Sequence, residues 1–158
     1  MKAATVKQIK DELSNCSSIE LVELVLRLSK FKKENKELLT YLLYEASNED
    51  GYIASVKTEI EQQFKQVNTS NYYFIKKTAR KILRITKTYI RYSKKKETEV
   101  ALLMYFCLEL KKVRPSIKGN ITLLNLFNRQ INLIEKAIAT LHEDLQYDYN
   151  LELEKLLK

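Results

Sequence analysis

The chain has 158 residues, 45% of them hydrophobic and 30% charged, with a formal net charge of +8. That is the length of one ordinary domain, with apolar residues enough for a core and too many for a disordered chain. Two glycines and one proline weigh against a turn-rich β architecture and against glycine-rich phosphate loops, and no apolar run approaches the roughly 20 residues of a membrane span.

Leu, Lys, Glu and Ile recur at three- and four-residue spacing, which predicts an all-α protein. Thr5 caps a first helix on Val6, Ile9 and Leu13, broken at Ser14-Asn15. Ser17 and Glu20 form a capping box, each satisfying a backbone amide the other's end of the turn leaves open. The second helix that follows carries Ile19, Leu21, Val22, Leu24, Val25, Leu26 and Leu28, apolar almost all round, and is expected at the centre of the fold. A polar joint over 32–36 leads to a third helix ending near Ala46, and 47–51 is expected as a loop. A fourth helix is expected from Tyr52 to Val67, and Asn68-Thr69-Ser70-Asn71 caps a fifth from Tyr72 to about Ser93. A sixth runs from Glu97 to Val113, stopped by Pro115, and a seventh from Ile121 to about Leu145, with a short eighth over 151–157. Short joints between such helices imply antiparallel neighbours. The expectation is a single helical domain, 1–158, built as an irregular multi-helix bundle, the alternative being a short α-α superhelical stack of hairpins.

Between Gln62 and Lys96 there is no Asp or Glu, while Lys and Arg supply eleven positive charges. The chain's +8 less these eleven leaves −3, so all the net positive charge sits in the fifth helix and its flanks. Lys77, Arg80, Arg84, Lys87, Arg91 and Lys94 follow at three- or four-residue steps and line one face, opposite Ile75, Ala79, Ile82, Thr86, Tyr89 and Ile90. Such a face suits phosphates or acidic side chains, and Tyr72, Tyr73 and Tyr92 near its ends would stack on bases if exposed. It also reads as a solvated face, or as one neutralised by Glu59, Glu61, Glu97, Glu99 and Glu109. Docking on a lipid surface is disfavoured, because the apolar side holds Ala79, Thr86 and β-branched Ile rather than Trp, Phe and Leu.

Catalytic and metal chemistry finds no starting point. His142 is the only histidine, expected as a favourable charge near the C-terminal end of the seventh helix. Cys16 and Cys107 belong to no C-x-x-C pair and are expected as buried free thiols, and zinc would lack donors at ligand spacing. Carboxylates at helical spacing, such as Glu20 with Glu23 or Glu45 with Glu49, come without the Glu-x-x-His of helical di-metal sites. No catalytic residue, metal or cofactor is expected. The ten tyrosines exceed what a core can hold with satisfied hydroxyls, so self-association is open.

The stretches Ile9-Lys10-Asp11-Glu12-Leu13, Ile19-Glu20-Leu21-Val22-Glu23-Leu24 and Lys36-Glu37-Leu38-Leu39-Thr40-Tyr41-Leu42-Leu43 resemble small all-helical bacterial proteins of unknown function. That resemblance covers the first third and implies a bacterial cytoplasmic origin, with no activity attached. With no secretory signal or membrane span, a cytoplasmic protein is expected. The expected function is a non-enzymatic helical scaffold or interaction module whose basic helix meets an acidic protein or nucleic acid, the alternative being a nonspecific nucleic-acid binder that uses this helix on phosphates.

Overall fold

The computed structural model describes all 158 residues and contains eight α-helices and no strand. They are α1 (Val6–Leu13), α2 (Ser18–Phe31), α3 (Lys33–Thr40), α4 (Glu49–Lys65), α5 (Tyr72–Ser93), α6 (Lys96–Lys112), α7 (Ile121–Ile138) and α8 (Glu143–Leu157). A π-helical turn, Tyr41–Glu45, follows α3, and a 3-10 turn, Ile117–Gly119, precedes α7. Contacts divide the chain, expected as a single helical domain over 1–158, into two compact units, Met1–Tyr44 and Glu45–Lys158.

The first unit holds α1 to α3. Thr5 caps α1 in a capping box with Gln8, and Ser17 caps α2 in the expected box with Glu20: the Ser17 N–H donates to Glu20 Oε2 at 2.8 Å. The joint after α2 shrinks from the expected 32–36 to Lys32 alone, because Lys33, Glu34 and Lys36 are good helix formers and α3 takes them up. Asn35 Nδ2 donates to the Leu28 carbonyl at 2.8 Å, satisfying an orphan at the end of α2. α2 packs on α3, but its only buried residue is Ser29. The expectation that α2 is the centre of the fold is therefore corrected: its leucines, valines and isoleucine stay largely exposed because α3 covers one side only.

The second unit is a helix bundle around α6. This helix packs against α4, α5, α7 and α8, and Val100, Leu102, Phe106, Cys107 and Leu110 are wholly buried. One helix touching four others is bundle packing, not the nearest-neighbour contacts of a superhelical stack. Phe106 meets Phe64 of α4 with ring centroids 5.6 Å apart. The Tyr52 hydroxyl donates to the Tyr89 carbonyl at 2.9 Å and the Tyr89 hydroxyl to Glu59 at 2.8 Å, tying α4 to α5 with their polar ends satisfied. Glu49 accepts from the hydroxyls of Ser93 and Thr98 and pairs with Lys95 at 3.2 Å.

Boundaries in the second unit also differ from the sequence expectation. α4 begins at Glu49, inside the expected loop, because Asn48 caps it by accepting the Gly51 N–H at 3.1 Å, and Glu49 and Asp50 complement the positive helix start. The expected seventh helix stops at Ile138, where the Thr140 hydroxyl bonds back to the Ala137 carbonyl at 2.7 Å and Gln146 Nε2 donates to the Leu141 carbonyl at 2.7 Å. A full α8 then starts at Glu143 with His142 as its N-cap. No helix of the chain is long and apolar enough to cross a membrane.

Candidate functional site

α5 has the expected bounds, capped by Asn71, whose side chain accepts the Phe74 N–H at 3.2 Å. Its core side buries Ile75, Ala79, Ile82, Leu83 and Thr86, the Thr86 hydroxyl donating to the Ile82 carbonyl at 2.9 Å. This side being fixed, Lys77, Arg80, Arg84, Lys87 and Arg91 must point outward, and all are exposed. Lys94 is exposed too, but it is the C-cap, in the left-handed region at φ 59°, so the helical row ends at Arg91.

None of these six cations makes an ion pair within the chain. The carboxylates that would neutralise them are engaged elsewhere. Glu61 pairs with Lys65 at 2.8 Å, Glu99 with Lys96 at 2.8 Å and Glu109 with Lys112 at 2.5 Å, while Glu59 and Glu97 accept from Tyr89 and Tyr149. The hydrogen bond and charge of Lys65 hold the Glu61 carboxyl below its ordinary value, and those of Glu109 raise Lys112. Neutralisation of the row by acidic neighbours, one of the two bland accounts, is thus not what the fold does.

α5 and α7 both pack on α6, and between them lies an open groove of about 670 Å³. Arg80 and Lys87 stand on its α5 wall, and Arg129 and Lys136 on its α7 wall together with Thr122, Asn125 and Asn132. A second cavity of about 600 Å³ shares Arg80, Leu83, Lys87 and Leu133, and adds Arg84 and Arg91 at the α6 side. Glu99 is the one carboxylate lining either, and Lys96 engages it. Gln130 forms part of the groove wall; it is 3% exposed, its Nε2 donates to the Leu126 carbonyl at 3.1 Å, and its Oε1 has no partner. A buried acceptor left open costs about 1–3 kcal/mol until a donor reaches it.

Of the six residues singled out in the sequence, Arg80 and Lys87 line both the groove and the adjoining second cavity, Arg84 and Arg91 line the second cavity only, and Lys77 and Lys94 line neither. The sequence reading missed Arg129, Lys136 and Gln130. Asn125, Arg129, Asn132 and Lys136 fall at four-, three- and four-residue steps as a polar stripe on α7, but nothing in that spacing places the stripe beside α5 or marks Gln130. Of the three tyrosines expected to stack on bases if exposed, Tyr92 is buried, the Tyr72 hydroxyl donates to the Ser116 carbonyl at 2.8 Å, and Tyr73 is exposed and lies edge-on to Phe74; none lines the groove.

The remaining chemistry is spread out. His142 caps α8, its Nδ1 accepting the Asp144 N–H at 3.4 Å, so it serves a helix start and not the helix end expected of it. Both cysteines are free, Cys107 buried but Cys16 only half-buried, against the expectation that both are buried. No three His, Cys, Asp or Glu side chains converge as metal ligands do. Comparison with family models, with curated proteins and with solved structures finds no match for this chain.

Proposed function

We propose that the chain is a non-enzymatic interaction module that binds nucleic acid through its phosphate backbone in the groove between α5 and α7. The observation that carries this is the lining of that groove by cations from two helices that no carboxylate of the chain neutralises. Fixed, unpaired positive charge on facing walls attracts a polyanion and gains by releasing its counterions. From Arg80 to Arg91 the α5 row covers about 17 Å at about 1.5 Å per residue, enough for a few successive phosphates. With no aromatic on the walls, recognition is of backbone and not of base sequence. An open groove suits a flexible single strand better than a rigid duplex. The unpartnered Gln130 oxygen offers an acceptor to a sugar hydroxyl or a base N–H.

The test is binding of a fluorescent mixed-sequence single strand and duplex to the full chain at about 50 and 200 mM salt. If Arg80, Arg84, Lys87, Arg91, Arg129 and Lys136 each meet a phosphate, the single-strand affinity falls about 300-fold across that range, from a slope of about −0.7 per contact. The variant Arg80→Glu/Arg84→Glu/Arg91→Glu keeps its helical content and loses binding. Absence of binding at the lower salt, or binding that the triple variant retains, overturns the proposal.

A further inference from the structure

The first unit leaves α2 with apolar residues that its neighbour α3 does not cover, and the arrangement of its charges states what does. Leu21, Val25 and Ser29 follow at four-residue steps on the side toward α3, where Val25 and Ser29 line a cleft with Leu38, Leu39 and Leu42. The opposite side carries Glu20, Glu23, Arg27 and Lys30, at steps of three, four and three, all exposed. Glu23, Arg27 and Lys30 make no ion pair within the chain, and Glu20 is engaged only in capping Ser17. Flanking this charged strip, Ile19 and Leu26 lie on one edge and Leu24 and Phe31 on the other; they are 73, 48, 42 and 77% exposed.

We infer that this face of α2 pairs with the same face of a second copy of the chain, antiparallel, about a two-fold axis opposite Val25. The acids occupy the first half of the strip and the bases the second, so reversal exchanges their signs. In one register Glu20 lies level with Lys30 of the second copy and Glu23 level with Arg27. Two-fold symmetry repeats both, giving four ion pairs in successive layers. The same register sets Leu24 against Leu24 on one edge and Leu26 against Leu26 on the other. These edges exclude water from the charged layers and strengthen them. A parallel pairing would put like charges together. Nucleic acid, an acidic protein or an anionic membrane would be repelled by Glu20 and Glu23 on the same face, and a helix complementary to its own reverse has its partner in itself. A seam of this one helix is about 21 Å long, at the small end of specific interfaces, so association in the micromolar range is expected.

Sedimentation of the full chain over about 5–200 µM at low salt reads the association directly, with charge variants to define the contact. Glu23→Lys or Arg27→Glu alone sets two like-charge pairs in the seam and weakens the dimer by about tenfold or more. Both positions are exposed and leave Glu20 in its cap, and unchanged helical content confirms that each variant is folded. An equimolar mixture of the two single variants, and the double variant Glu23→Lys/Arg27→Glu by itself, restore opposite charges in each layer and restore association. A wild-type chain that stays monomeric, a dimer indifferent to the single reversals, or a double variant that fails to recover overturns the inference.

Discussion

α2 and α6 are made of similar material and have opposite fates. Eight of the fourteen residues of α2 are apolar, and α6 contains an unbroken apolar run from Val100 to Leu108, so both helices have more apolar surface than a single neighbour can cover. In α6 that composition is buried nearly all round, whereas α2 buries one serine. The difference is in the neighbours: four helices pack closely on α6, and α3 is the one helix packed extensively on α2. An apolar helix states what it is able to bury. How much it does bury is set by which other elements the chain folds around it.

The contrast breaks hardest under truncation. Phe106 is fully buried against Phe64, so Phe106→Ala removes a large ring and leaves a cavity; a loss of about 3–5 kcal/mol is expected from denaturant unfolding. Val22→Ala on α2 deletes methyl groups that are already in water and swaps a β-branched residue for the best helix former, so its effect is under about 0.5 kcal/mol in either direction. Equal losses at the two positions would mean that α2 is enclosed in solution as α6 is.

The two thiols sharpen the same comparison chemically. Cys107 lies inside α6, where burial pushes its thiol from near 9 up to about 12 and leaves it no path to a reagent. Cys16, just after α1, is half-buried. A thiol-reactive dye on the native protein is expected to label one equivalent promptly and the second only on unfolding. The raised thiol also sets a pH dependence. Between its unfolded value near 9 and its folded value of about 12, the unfolded chain holds fewer protons, so stability present below pH 9 falls as pH rises through that window. Tyr149, moved from 10 to about 12 by burial and by Glu97, acts in the same direction. Chemical denaturation at several alkaline pH values checks the sign.

Local signals in the sequence located the helices well where a side chain writes the boundary. Asn71 before α5, and Ser17 with Glu20 before α2, are such cases, because a cap is a bond among residues a few positions apart. The break after Ile138 was hidden, since it depends on Gln146 reaching back to carbonyls five and seven residues away. The α5 row was legible because eleven cations without an acid stand out in composition. Its other wall was not: Arg129 and Lys136 are ordinary surface residues of α7 until α6 brings α5 and α7 alongside each other. The same limit put α2 at the centre in place of α6, for burial is a tertiary quantity.

The smallest effect tests where the stability of α2 comes from. A helix that buries so little depends on its local bonds, and the strongest of these is the capping box in which Ser17 Oγ accepts the Glu20 N–H at 3.2 Å. Ser17→Ala removes that acceptor and costs about 1 kcal/mol of local helix stability. Because α2 adds little buried area to the fold, this cost is expected in its own opening and not in the global transition. Amide hydrogen exchange would show it as about fivefold faster exchange along the first turns of α2, while amides of α6 keep their protection. A matching loss in α6 would show that α2 unfolds together with the core and derives its order from it.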